Sequence, residues 1–270
     1  MANITSSPTS DRPFVKGQTP RLQLKNISKS FGGVQALSHV DFEVFDGEVV
    51  GLVGDNGAGK STLVKTMSGA YTPDTGEISI DGQPVAISSP QDSTRLGIET
   101  VYQDLALCDN LDVVANLWLG REAHRTLFPG FFRILDETEM EQKTIEVLKT
   151  LDVKIPSVRS PVASLSGGQR QCIAVAKTIL RQPKVVLLDE PTAALGVAQT
   201  RQVLNLILRL KERGLAVVVI SHNLHDVFEV TDRIVVMRLG KRIRTFETSQ
   251  TTPERVVGAI TGAETEEIEA

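Results

Sequence analysis

The sequence predicts an α/β fold: a mostly parallel core sheet, an antiparallel β subdomain and a helical insertion. Three observations carry this. Short Val/Ile/Leu runs alternate with segments of helical spacing, as expected for strands buried on both faces of a parallel sheet. Two Asp-Gly pairs, Asp46-Gly47 and Asp81-Gly82, punctuate the N-terminal part with tight-turn chemistry, since both residue types tolerate positive φ. Over residues 104–164 the strand signals disappear, and ETEMEQKTIEVLKTLDV places Ile145, Leu148 and Leu151 on one helical face.

In chain order, LQLKNISKSF and VDFEVFDGEVVGLVG read as strands, with Asp46-Gly47 expected to close a hairpin. A strand-loop-helix unit follows over residues 48–67, and EISIDGQPVAI forms a second turn at Asp81-Gly82. After the helical segment the alternation returns: helix 169–181, strand 184–189, helix 198–213, strand 215–220, helix 224–230 and strand 233–238. Near the end, Thr252 and Pro253 suit the N-cap and first turn of a last helix. Residues 1–20, rich in Ser, Thr and Pro without an apolar stretch, read as a disordered leader and not a signal peptide. Residues 263–270 read as a frayed acidic tail. The span 21–262 is expected to be one domain with a helical subdomain at about 104–168.

Composition narrows the function classes. With 270 residues, 41% of them hydrophobic and 23% charged, the chain suits a globular protein of one large domain or two modest ones. A formal net charge of −4 with no Lys/Arg block argues against nucleic-acid binding. Cys108 and Cys172 lack metal-ligand spacing and read as packing thiols in a reducing compartment. No apolar run approaches the ~20 residues of a bilayer span. A cytoplasmic chain is expected, with any membrane role acting through a partner.

The apolar runs end at chemistry. EVVGLVG stops at a glycine-rich loop, IETVYQ at Gln103, VVLLDE at Asp189 and Glu190, and AVVVISH at His222. In open α/β sheets ligands collect outside the carboxyl ends of the strands. GDNGAGKST, between a predicted strand and helix, fits the phosphate-binding pattern GxxxxGK[ST]. The nucleotide-binding residues expected here are Gly54, Asp55, Asn56, Gly57, Ala58, Gly59, Lys60, Ser61 and Thr62, with the backbone N–H groups from Asn56 to Ser61 wrapping the phosphates at a helix N-terminus. Lys60 would reach the β and γ phosphates, and Ser61 would bind Mg²⁺. Asp189 is the carboxylate expected near Mg²⁺, through a water, and Glu190 the group that orients or deprotonates an attacking water. A salt-bridged strand end and a capped surface histidine are the competing readings of Glu190 and His222. His39, His124 and His225 read as structural.

A second glycine-bearing helix start, LSGGQRQ, poses a question: one chain carries two phosphate grips and one set of catalytic groups. The ordered set GDNGAGKST, VYQD, LSGGQ, VVLLDEP and ISH resembles the ATP-binding subunit of an ABC transporter, from Arg21 to about Gly262. The resemblance implies ATP and Mg²⁺ as ligands and a head-to-tail pair of chains. In it Ser166, Gly167, Gly168 and Gln169 close over the ATP held by the partner's phosphate loop. It further implies that Phe31 stacks on adenine, against the alternative of a core phenylalanine. Gln103 would touch Mg²⁺ or the attacking water, and residues 104–119 would help form a groove for the membrane subunits. Leu105 and Leu107 would serve in that groove or in the core. One departure is clear: AALG stands where the family usually reads SALD, so Gly196 replaces an acidic residue.

Within the family, GGVQAL, SGAYTPDTGEI, VYQDLALCDNLDVVANLWLGRE and VVGAITGA resemble monosaccharide (ribose, xylose or fructose) importers in single-cassette form. The implied partners are a second copy or a homologous ATPase, a transmembrane permease and, indirectly, an exported sugar-binding protein. The implied location is the cytoplasmic face of the cell membrane. The competing classes are a soluble ABC ATPase and a nucleotide-dependent binding module. A GTPase is disfavoured because no N/T-K-x-D motif is present.

Overall fold

The structure, a computed structural model, describes residues 18–127 and 132–263. The expected leader and acidic tail fall almost wholly outside the described residues. The elements run β1 (Leu22–Phe31), β2 (Val34–Val44), β3 (Val49–Gly54), α1 (Lys60–Met67), β4 (Thr75–Ile80), β5 (Gln83–Val85), α2 (Pro90–Arg95) and β6 (Ile98–Val101). The middle of the chain holds α3 (Val113–Trp118), β7 (His124–Leu127), β8 (Phe132–Leu135), α4 (Glu137–Thr150) and α5 (Gly167–Ile179). Then come β9 (Val185–Asp189), α6 (Val197–Glu212), β10 (Ala216–Ile220), α7 (Leu224–Val230), β11 (Arg233–Arg238), β12 (Lys241–Glu247) and α8 (Pro253–Thr261).

The central sheet has strand order β12-β11-β3-β10-β9-β6, parallel throughout except for β12 against β11. Its strands alternate between two cores, as period-two side chains must. Val50, Leu52, Val185, Leu187, Val218 and Ile220 face the core shared with β1, β2 and α1. Val49, Val186, Leu188, Val217 and Val219 face the core shared with α5 and α6. A four-stranded antiparallel sheet, β2-β1-β4-β5, forms the expected β subdomain. Gly51 in β3 is the narrow point of the packing beneath α7. A Cβ there would stand 2.8 Å from Val227 Cγ1 and 3.1 Å from Thr231 Cγ2. Gly51→Ala is therefore expected to cost about 1–3 kcal/mol by overpacking, read as a lowered midpoint in thermal unfolding.

Several expectations need correction. Asp46-Gly47 makes a tight turn, with Gly47 at φ 65°, but closes no hairpin. It passes the chain from β2 in one sheet to β3 in the other, because β3 is apolar on both faces and pairs with β10 and β11. Asp81-Gly82 does join paired strands, at φ 53° and 75°. The helical insertion carries a two-stranded sheet, β7-β8, whose four-residue strands interleave arginines and give little alternation. Strand β12 also escaped the sequence reading. Its turn, Leu239-Gly240 at φ 46° and 75°, puts a leucine where Asn or Asp would have announced a hairpin. Thr252 occupies the N-cap of α8, yet its hydroxyl caps no helix N–H, while Pro253 does sit in the first turn.

Leu105 and Leu107 are partly buried and pack against the core under α5 and α6. Asn116, fully buried in α3, pins the segment before it: its amide binds the Cys108 N–H and the carbonyls of Cys108, Leu111 and Asp112. Burial pushes the Cys172 thiol up to about 12, which suits a packing role.

Candidate functional site

Parallel pairing in close register carries the ends of β3, β6, β9 and β10 to one edge of the sheet. Ile220 pairs with both Leu52 and Asp189, and Val101 pairs with Leu188. The four strand-end groups read from the sequence are therefore brought to a common edge.

The phosphate loop spans the turn from β3 into α1. Its backbone takes positive φ at Gly54, Gly57 and Gly59, and at two of these a Cβ would also collide with neighbouring backbone. Gly54, at φ 151°, would place a Cβ 2.2 Å from the Met237 carbonyl oxygen. Gly59, at φ 100°, would place one 2.8 Å from the Ala36 carbonyl oxygen. Gly59 caps α1 without a side-chain bond, which leaves the helix N-terminus to an outside acceptor. Within the loop, the Asn56 N–H donates to Asp55 Oδ1 at 2.7 Å, and the Ala58 N–H to the Asp55 carbonyl at 3.1 Å. The Lys60 ammonium folds back onto the carbonyls of Gly54 (2.7 Å) and Asp55 (3.0 Å). Burial lowers its pKa, opposed by the charges of Glu190, Asp55 and Asp189. Ser61 is exposed on the first turn of α1, and Thr62 is half-buried.

Asp189 is the last residue of β9. Burial and then the neighbouring Glu190 raise its pKa above the usual carboxylate range, against the opposing pull of Lys65 and Lys60. Glu190 turns into the left-handed region, φ 51°, while its N–H donates to the Ile220 carbonyl at 2.9 Å. That turn separates the two adjacent carboxylates. Glu190 Oε2 lies 2.8 Å from His222 Nδ1, whose ring is largely exposed. Gln103 lies exposed just past β6, and the Tyr102 hydroxyl beside it bonds Ser68 Oγ at 3.0 Å. Phe31, at the end of β1, is 43% exposed and meets Tyr71 edge-on at 5.0 Å. The core alternative for Phe31 fails: the ring stands at the surface beside Lys29, with Nζ 5.6 Å from its centroid.

The second glycine-bearing segment starts α5. Ser166 Oγ accepts from the Gln169 N–H at 3.3 Å, and Gln169 Oε1 accepts from the Ser166 N–H at 3.0 Å, a reciprocal capping box. Gln169 Nε2 also donates to the Lys154 carbonyl. Gly167 is exposed, whereas Gly168 is buried against α6, where a Cβ would approach Gln199 Cβ to 2.8 Å. Among the described residues, no hydrogen bond or ion pair joins residues 166–169 to residues 54–62.

Gly196, at φ −75°, is the N-cap of α6, and a Cβ there would meet nothing within 4 Å. An aspartate therefore fits without strain. Gly196→Asp is expected to raise stability by roughly a few tenths of a kcal/mol through a side-chain cap, measured as a small rise in the thermal midpoint.

A glycine-lined phosphate loop, a strand-end carboxylate pair and a histidine at one sheet edge define a P-loop nucleoside triphosphatase. The ABC transporter family profile matches residues 37–193. The fructose import ATP-binding protein FrcA of Rhizobium meliloti is 46% identical over 248 residues, covering 91% of this chain and 95% of that protein. The xylose/arabinose import ATP-binding protein XylG of Sulfolobus acidocaldarius is 43% identical, covering 89% and 93%. A nucleotide-free ATP-binding cassette from an ABC transporter superposes with a TM-score of 0.76 at 26% identity, covering 90% of this chain and 95% of that one. A bacterial ABC transporter cassette solved as a dimer gives 0.69 at 26% identity, covering 84% and 98%. The chain belongs to the ABC transporter family, as one of its ATP-hydrolysing cassettes. Among the described residues no helix is long and apolar enough to cross a membrane.

Proposed function

We propose that the chain is the energy-coupling ATPase of a monosaccharide importer. It works as a head-to-tail dimer, with itself or a homologous ATPase, beneath transmembrane permease subunits at the cytoplasmic face of the cell membrane. An exported sugar-binding protein would deliver the sugar. The observation that carries the reading is that both grips are well formed while, among the described residues, no hydrogen bond or ion pair joins one to the other. A fold holding half of two sites calls for a second chain. The names of the fructose and xylose/arabinose import relatives support the substrate class.

In this reading Lys60 and the first turn of α1 neutralise the phosphates, and Phe31 offers its exposed face to the adenine. Ser166 to Gln169 of the second copy close on the γ-phosphate with helix N-terminal N–H groups. Residues for Mg²⁺ are Ser61, Gln103 and, through water, Asp189. The fit is chemical: Asp189 is an ionisable oxygen donor whose charge is disfavoured by burial and by Glu190, and a cation relieves both effects. Among the described residues no three His, Cys, Asp or Glu side chains converge as a ligand set, which suits an ion shared with phosphate oxygens. When bound, Mg²⁺ would offset charge on the β and γ oxygens. Glu190, oriented by His222, then places the attacking water and takes its proton. The transition state of phosphoryl transfer is loose, so placement matters more than basicity.

The test is reconstitution in vesicles with its permease and binding protein, measuring ATP turnover with ribose, xylose or fructose added. Sugar-dependent stimulation is expected. Turnover indifferent to every permease and sugar, with co-purification on ribosomes instead, would favour a soluble ABC ATPase.

A further inference from the structure

We infer that Asp226 and Thr192 form a buried clamp that positions the Glu190–His222 pair, making both positioning residues for ATP hydrolysis. The inference rests on the catalytic reading of Glu190 and His222 above. Those two side chains leave the sheet on separate loops, one after β9 and one after β10. At the sheet edge a single backbone bond, Glu190 N–H to Ile220 carbonyl, joins the loops. Beyond it each loop turns on its own local bonds: the Ala193 N–H donates to the Glu190 carbonyl in one, and the Asn223 N–H to Ser221 Oγ in the other. Glu190 and Ala194 adopt positive φ, 51° and 58°, and the His222 ring is 73% exposed, with its Nδ1 2.8 Å from the Glu190 carboxylate.

The second tie lies deeper. Thr192 Oγ1 donates to Asp226 Oδ2 at 2.7 Å, and Asp226 is 5% exposed. Asp226 sits in the first turn of α7. Its other oxygen lies 3.8 Å from His225 Nδ1. The α7 start is itself fixed: the Asn223 side chain accepts from the His225 N–H, and Ser221 Oγ accepts from the Asn223 N–H. The path from Thr192 through Asp226 to Asn223 therefore brackets His222. The stretch 190–192 brackets Glu190 on the other side. A carboxylate this deeply buried is costly unless its hydrogen bonds are made, and a charge-assisted bond of this length resists stretching. The clamp holds the two loops at one separation and so sets the 2.8 Å contact between base and histidine.

Thr192→Val removes the donor at nearly constant volume. The expected result is a kcat for ATP lowered about 10-fold, since small misplacements of a reacting group carry large rate penalties. The KM for ATP should stay within about 2-fold, because the phosphate loop is untouched. Thr192→Ser, which keeps the hydroxyl, should restore kcat. Added to Glu190→Gln, Thr192→Val should lower the residual turnover little, because the clamp acts through Glu190. Thermal midpoints of each variant separate misplacement from unfolding, and Asp226→Asn, which retains an acceptor, should keep more activity than Asp226→Ala. Unchanged kcat in folded Thr192→Val would overturn the clamp, as would no rescue by serine or a full multiplicative loss in the Glu190→Gln background. Should Glu190→Gln itself retain turnover, the catalytic reading fails and not the clamp alone.

Discussion

Glu190→Gln is expected to lower ATP turnover by about 10²–10⁴-fold, the range general acid–base groups supply, while nucleotide affinity stays close to that of the parent. The amide keeps the size of the carboxylate and can still meet His222 Nδ1, so the local geometry at 2.8 Å has little reason to change. What disappears is the acceptor for a proton from water. The variant should therefore bind Mg-ATP and remain bound, and the two-chain reading makes a further demand. With hydrolysis blocked, the closed dimer should accumulate, visible as an ATP-dependent doubling of mass in size-exclusion chromatography with light scattering. A variant that stays monomeric at saturating Mg-ATP would contradict the shared site. One that hydrolyses ATP at the parental rate would remove Glu190 from the chemistry.

Lys60→Ala acts earlier, at binding. The ammonium is held by the carbonyls of Gly54 and Asp55 and is poised over the loop, with three carboxylates near enough to favour its charge. Incoming phosphate oxygens would replace those carbonyls as partners. Hydrogen bonds to charged groups contribute about 1.5–3 kcal/mol each, so losing two should weaken ATP binding by about 100-fold or more. Turnover should fall below detection, because the same charge is needed as the γ-phosphate leaves. Titration with a fluorescent nucleotide measures the first effect and phosphate release the second. Parental turnover in this variant would refute the assignment of the loop. Comparison with Glu190→Gln separates the two roles: one variant binds without turning over, the other does neither.

Much of the site was legible because its residues stand at the ends of apolar runs. VVLLD and AVVVI announce buried parallel strands, and once the sheet is parallel their ends must meet. Gly54 and Gly59 of the phosphate loop are equally informative, since the backbone there passes too near Met237 and Ala36 for any Cβ. What escaped the sequence reading has a common physical cause. Strands β7, β8 and β12 are short or carry alternating arginines, and the Leu239-Gly240 turn lacks Asn or Asp. Asp46-Gly47 shows the opposite error: local turn chemistry was right, but which sheet receives the next strand is decided by long-range pairing. Asn116 and Asp226 were invisible for a related reason. A buried polar side chain carries no periodic signature, and only the folded chain reveals what it binds.

The wedging of Gly54 and Gly59 between two carbonyls has a consequence for how the molecule tolerates change. Met237 lies near the end of β11 beside the loop, and Ala36 belongs to the antiparallel sheet; the Gly240 N–H adds a bond to the Ala58 carbonyl. The nucleotide seat is thus a keystone, braced by masonry from remote stretches of the polypeptide. Grafting the nine-residue motif alone onto another scaffold would transplant the letters without the vault that shapes them.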